Sequence, residues 1–156
     1  MSPSVPAVDR DFTVGTLSRL VQINSINPSL VPGGAGEAEI SRYTADTLMR
    51  LGLEVHTHEP APGRISTVGI LRGSGKGRSL MLNAHYDTVG VEGMAEPFSG
   101  AVRNGKLYGR GAYDMKGSLA AQIGAVKALK DSGARLRGDL LIAAVADEGS
   151  ADTAVT

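Results

Sequence analysis

Three short stretches of this chain place metal-binding or proton-carrying side chains directly after apolar runs: LNAHYDTV at residues 82–89, GRGAYDMKG at 109–117 and VADEGS at 145–150. Each offers a different piece of hydrolytic chemistry. His85 and Asp87 are two positions apart, so in an extended chain both project to the same side. A neutral imidazole that ligates a metal through one nitrogen can give its other N–H to the neighbouring carboxylate. The other use of such a pair is a hydrogen-bonded structural histidine. Asp114 stands in a glycine-flanked loop, where backbone can approach a ligand closely, and it can either ligate a cation or cap the helix that follows. Glu148, beside Asp147, ends an apolar stretch. Burial there would raise the proton affinity of its carboxyl and suit it to general-base work, whereas a solvated strand end would leave it an ordinary surface acid. With no cysteine in the chain, a metal would have to be held by imidazole and carboxylate, and disulfides are excluded.

Such residues need elements that bring strand ends together. Residues 12–23 set Val14, Leu17, Leu20 and Val21 at helical spacing, and the proline- and glycine-rich NPSLVPGGAGE breaks that helix. Residues 37–51 repeat the amphipathic pattern and stop at Gly52. Residues 53–58 and 65–71 read as a strand pair around the turn former APGR. The nearly continuous apolar run SLMLNAH at 79–85 predicts a strand buried on both faces. Asn104-Gly105 predicts a type I′ hairpin just upstream of the second motif. A helix is expected over 117–132, with Leu119, Ala120, Ile123, Val126, Lys127 and Leu129 on one face and Gly133 as its stop, and DLLIAAVAD at 139–147 reads as a further buried strand. The alternation predicts a layered α/β domain around a mainly parallel, mixed sheet flanked by helices, with the three motifs at the carboxyl ends of its strands, where ligands bind in such folds.

Composition narrows the possible partners. The 156 residues suit one domain, and 16 basic against 16 acidic side chains leave no positive field to collect nucleic acid or an anionic membrane. The first residues, MSPSVPAVDRDF, lack the pattern of a secretory leader, and the longest apolar run, LLIAAVA, is too short to span a bilayer, so a cytoplasmic location is expected. His56 and His58 share one strand face and read as exposed, with no acid partner assigned to them. GAVRNGK at 100–106 has phosphate-loop spacing, but Leu107 stands where Ser or Thr is required and the segment reads as a hairpin, so a nucleotide site is rejected.

In this order, LNAHYDTV, GRGAYDMKG and VADEGS resemble the motifs of the metal-dependent amidohydrolases and exopeptidases that include acetylornithine deacetylase, succinyl-diaminopimelate desuccinylase, aminoacylase and the glutamate carboxypeptidases. The resemblance runs over nearly the whole chain. It implies a zinc-exopeptidase-like catalytic domain and a pair of zinc ions, with cobalt or manganese as substitutes. His85 would ligate one metal, Asp114 would bridge both, Asp87 would orient His85, and Glu148 would accept a proton from the attacking water. It also implies a cis peptide after Asp114, and hydrolysis of an amide in a small N-acyl amino acid or short peptide. The third motif departs from the family pattern, in which Asp-Glu-Glu is followed by one residue and Gly-Ser; with Glu148 kept as the base, the ligand Glu is missing. The resemblance places further ligands, and a separate domain for dimerisation and substrate contact, in sequence outside these residues. Residues 1–156 are accordingly expected to form the N-terminal part of a catalytic domain that binds metal weakly, has little or no activity alone and is prone to associate. Two other readings are a non-catalytic remnant acting through a partner and a zinc aminopeptidase of related fold.

Overall fold

Asp9 starts the first helix by accepting the Phe12 N–H at 2.9 Å, a side-chain cap for one of the amides a helix leaves unbonded. From there the computed structural model describes residues 5–146. The elements are α1 (Arg10–Gln22), α2 (Ala38–Arg50), β1 (Glu54–Ala61), β2 (Arg64–Leu71), β3 (Leu80–His85), β4 (Val102–Arg103), β5 (Lys106–Leu107), α3 (Lys116–Asp131) and β6 (Leu140–Val145). Every helix and strand expected from the sequence is present among them, and both residues of the β4–β5 turn, Asn104 and Gly105, have the positive φ of a type I′ turn (52° and 74°).

Four strands form one mixed sheet in the order β1-β2-β6-β3. The pairs β1–β2 and β2–β6 are antiparallel, and β3–β6 is parallel. The two antiparallel pairs follow from a tight hairpin at residues 62–63 and the long return from β2 to β6. The parallel pair arises because α3 carries the chain back across the sheet between β3 and β6. α2 packs on β1 and β2, α3 packs on β3 and β6, and α1 packs on α3. Register assigns the faces: Thr67, Ala144 and Ala84 lie in one row across three strands and all are fully buried, and the two alanines belong to a core with Leu20, Ile40, Leu48, Leu119, Ile123 and Ile142. Burying such side chains contributes about 1.5–3 kcal/mol each, so this layer supplies most of the stabilisation.

The expectation that β3 is buried on both faces holds only for its last residues. Leu80 and Met81 are 58% and 55% exposed, whereas Ala84 and His85 are buried. Among the described residues β3 is an edge strand with β6 as its sheet neighbour. His56 and His58 are exposed as expected, but His56 does have an acid partner: its Nε2 is 2.7 Å from Glu54 Oε1, two residues back on the same strand face. No helix among the described residues is long and apolar enough to cross a membrane.

Candidate active site

The parallel register pairs His85 with Val145, so the carboxyl ends of β3 and β6 lie side by side. The chain leaving β3 does not turn away at once. Tyr86, Asp87 and Thr88 run on beside residues 25–27: Thr88 N donates to Ser25 O and Asn27 N to Thr88 O, while Ser25 Oγ donates to Tyr86 O at 2.6 Å. This bracket buries His85 and Asp87, which are 7% and 3% exposed. Asp87 Oδ2 accepts from Asn27 Nδ2 at 2.8 Å.

The imidazole of His85 is held at both nitrogens. Nδ1 is 3.1 Å from the backbone oxygen of Asp87 and 3.4 Å from its carboxylate Oδ1. The sequence pointed to the carboxylate as the orienting group; the backbone carbonyl of the same residue is the closer partner. Since a carbonyl only accepts, Nδ1 carries the hydrogen in the neutral ring, and Nε2 is left with its lone pair. Nε2 faces Asp114 Oδ1 at 3.1 Å. Asp114 does not cap α3, whose N-cap is Met115 with no side-chain cap bond, and its carboxylate side chain is 79% exposed. The peptide bond from Asp114 to Met115 is cis, as the resemblance implied.

A lone pair and a carboxylate oxygen 3.1 Å apart require a positive centre between them, either a proton or a metal ion. Zinc held at about 2.0–2.2 Å by one nitrogen and one oxygen, at a tetrahedral angle, would separate its ligands by about 3.3–3.6 Å, a few tenths of an ångström more than the observed distance. In donor type and spacing His85 and Asp114 therefore fit one edge of a zinc site. Among the described residues no group of three or more His, Cys, Asp or Glu side chains is placed to hold a metal, so this edge is what they supply. Glu148, the expected base, lies outside the described residues.

Leu30, Thr88, Val89 and Arg110 join His85, Asp87 and Asp114 in lining a cleft of about 100 Å³, smaller than the roughly 300 Å³ or more of a pocket that encloses a whole small ligand. Behind it Lys116 is fully buried, and its Nζ donates to Leu20 O and Ile23 O, each at 2.9 Å. Burial pulls this ammonium down to about 7, and the negative charge of Asp87 opposes the shift. Burial likewise pushes the Tyr86 phenol up to about 12; its hydroxyl donates to Ile65 O. Sequence reasoning missed Asn27, Thr88, Arg110 and Lys116. The only signal for Asn27 was the spacing Ser25-x-Asn27, which sets two polar side chains on one side of an extended segment.

Residues 81–153 match the model of peptidase family M20/M25/M40. An N-formyl-4-amino-5-aminomethyl-2-methylpyrimidine deformylase of Halalkalibacterium halodurans is 35% identical over 138 residues, 85% of this chain and 32% of the relative. A succinyl-diaminopimelate desuccinylase of Leptothrix cholodnii is 34% identical over 87% of this chain and 36% of its own length. The chain thus spans about a third of the length of these curated relatives. Among solved structures, an M20 family metallo-carboxypeptidase of Sulfolobus solfataricus superposes with a TM-score of 0.74 at 27% identity, over 87% of this chain and 31% of that one. Human carnosine dipeptidase 1 gives 0.75 at 27% identity, over 88% and 32%.

Proposed function

This chain belongs to peptidase family M20/M25/M40, and from that membership we propose that it forms the N-terminal part of the catalytic domain of a zinc-dependent hydrolase that cleaves the amide bond of a small N-acyl amino acid or short peptide. One observation carries the reading: His85 Nε2 and Asp114 Oδ1 face each other at 3.1 Å at the carboxyl end of the parallel strand pair. The amide substrates named for the relatives, a formylated amine, a succinylated diamino acid and a dipeptide, support the reaction class.

His85 and Asp114 would hold the metal. When bound there, zinc supplies Lewis-acid activation of water and of the amide carbonyl. The protein's own residues do the rest. Asp87 fixes the ring of His85 through its backbone carbonyl, with its carboxylate close by, so that Nε2 rather than Nδ1 is presented. Asn27 holds that carboxylate in place. Glu148 is assigned the proton transfer from water to the leaving amine, on the strength of the sequence motif alone. A chain without cysteine suits the cytoplasm, where we place it.

The test is hydrolysis of a panel of N-acetyl, N-formyl and N-succinyl amino acids and dipeptides by the intact protein, before and after removal of metal by a chelator. Activity that is lost on chelation, restored by zinc and reduced by about 100-fold or more in His85→Ala supports the reading. Activity indifferent to chelation would overturn it.

A further inference from the structure

The cleft beside His85 has an apolar side that the metal chemistry does not use. Of the large apolar side chains exposed among the described residues, Leu30 (47% exposed) and Val89 (52%) are the two that line it, together with His85 and Asp114. Exposed apolar residues scattered singly over a surface need no explanation, but two that converge on one cleft from separate segments do. Neither belongs to the hydrophobic core, so packing within the described residues does not account for them. Both are nevertheless held in place. Asn27 N donates to Thr88 O, the neighbour of Val89, at 2.8 Å, and Asn27 O accepts from Leu30 N at 3.1 Å and from Val31 N at 2.9 Å. Ser29 is fixed twice: its N–H donates to Asn27 Oδ1 at 2.8 Å, and its hydroxyl accepts from Arg64 Nη1 at 2.7 Å. Arg64 in turn pairs through Nε with the fully buried Glu37 at 2.7 Å, and Gly36 N donates to Ile26 O at 3.0 Å, closing the loop that carries Leu30. A loop anchored to the scaffold in this way presents its exposed side chain in a set position, which is how binding residues are commonly carried.

We propose that Leu30 and Val89 form the contact for a hydrocarbon chain of the substrate, next to the amide that is cut, and so favour substrates with a chain of several carbons over their short homologues. The assignment rests on the reading of the cleft as an amide-hydrolysing site. At about 100 Å³ the cleft accepts one arm of a ligand and not the whole. Covering hydrocarbon with two apolar side chains takes both surfaces out of water, and each methylene fully covered is worth about fourfold in affinity. The chain belongs either to the acyl group or to the side chain of the amino acid, and the contact chemistry is the same for both.

Hydrolysis products separate these sources and stay unchanged during a titration. Hexanoate carries the chain on the acyl side and norleucine on the amino-acid side, with acetate and glycine as the short homologues. The methyl resonances of Leu30 and Val89 are followed in the intact, metal-loaded protein as each ligand is added, with Leu30→Asn and Val89→Thr assigning the signals. A saturable shift with one or both long ligands is expected, and the ligand that produces it identifies the source. Its Kd should lie about 10-fold or more below that of its short homologue, the gain for a four-carbon extension covered over half its surface. Leu30→Asn should remove most of that gain, and Leu30→Met, which keeps the apolar bulk, should restore it. Equal affinity for long and short ligands, or a gain that survives both Leu30→Asn and Val89→Thr, would overturn the proposal. Because the readout is binding, a protein that hydrolyses amides but binds long and short ligands alike defeats this assignment alone. One that shows the gain but hydrolyses nothing defeats the reading of the reaction alone.

Discussion

Asn27 donates from Nδ2 to Asp87 Oδ2 across 2.8 Å, joining two buried residues 60 positions apart in sequence. The bond ties the segment after α1 to the residue whose backbone carbonyl orients His85. Asn27→Ala removes a donor from a buried carboxylate, and a hydrogen bond to a charged group is worth about 1.5–3 kcal/mol. A lower urea midpoint corresponding to about 2 kcal/mol is expected, with a roughly 10-fold weaker zinc affinity because the orienting residue is less firmly held. An unchanged midpoint would show that the bond has no weight.

Asp114 and His85 share the proposed metal edge but differ in burial, and that difference separates their effects. The Asp114 side chain is largely exposed, so Asp114→Asn should leave the unfolding free energy within about 0.5 kcal/mol of the parent. His85 is buried, so His85→Ala should cost stability as well. Both substitutions should weaken zinc binding by more than the ~10–100-fold typical of an outer-shell partner, as measured by chelator competition. Equal zinc affinity in parent and Asp114→Asn would remove Asp114 from the ligand set.

Tyr86 makes the fold sensitive to alkali. Its folded pKa of about 12 lies above the ordinary value of 10.0, so the folded state retains a proton that the unfolded chain has lost at intermediate pH. The stabilisation linked to this group is fully present below pH ~10 and is lost as pH rises through about 12; the difference is on the order of 3 kcal/mol. Urea unfolding of the parent and of Tyr86→Phe, compared below pH ~9 and at pH ~11, should show the parent losing more stability than the variant. Parallel losses would mean that the phenol does not titrate with folding.

Gly109 and Gly105 both have positive φ, at 143° and 74°, but differ in surroundings. A Cβ at Gly105 meets nothing within 4 Å, whereas at Gly109 it would lie 2.2 Å from Val21 Cγ1 and 2.9 Å from Pro97 O. Gly105→Ala should therefore cost about 1 kcal/mol of backbone strain, and Gly109→Ala on the order of 3 kcal/mol or more, with a visible drop in Tm. Similar costs for the two would show that the loop before Asp114 yields easily.

The helices and the β4–β5 hairpin were legible because their signals are local: apolar spacing, glycine stops, and an Asn-Gly pair that strongly favours a type I′ turn. His85 and Asp114 were legible as site residues because each ends or follows an apolar run, and strand polarity says where such ends gather. What escaped depends on contacts across the chain. The exposure of Leu80 and Met81 follows from the position of β3 at the sheet edge, which no run of seven apolar-leaning residues reveals. The helical spacing puts Lys127 on the packed face of α3, yet its ammonium lies 5.5 Å from the centre of the Phe12 ring and reaches Asp9 and Asp131. Arg110 and Thr88 were invisible because lining a cleft is a property of the whole fold and not of one segment.

Lys116 has a bearing beyond the charge it buries. Its ammonium bonds Leu20 O and Ile23 O at the end of α1, while its own backbone begins α3 two residues after Asp114. The last turn of α1 and the start of α3 are therefore latched by one side chain, and neither can fray without breaking the latch. In the language of hydrogen exchange, they form one opening unit, so the loop that presents Asp114 draws its persistence from a helix almost a hundred residues earlier in the chain.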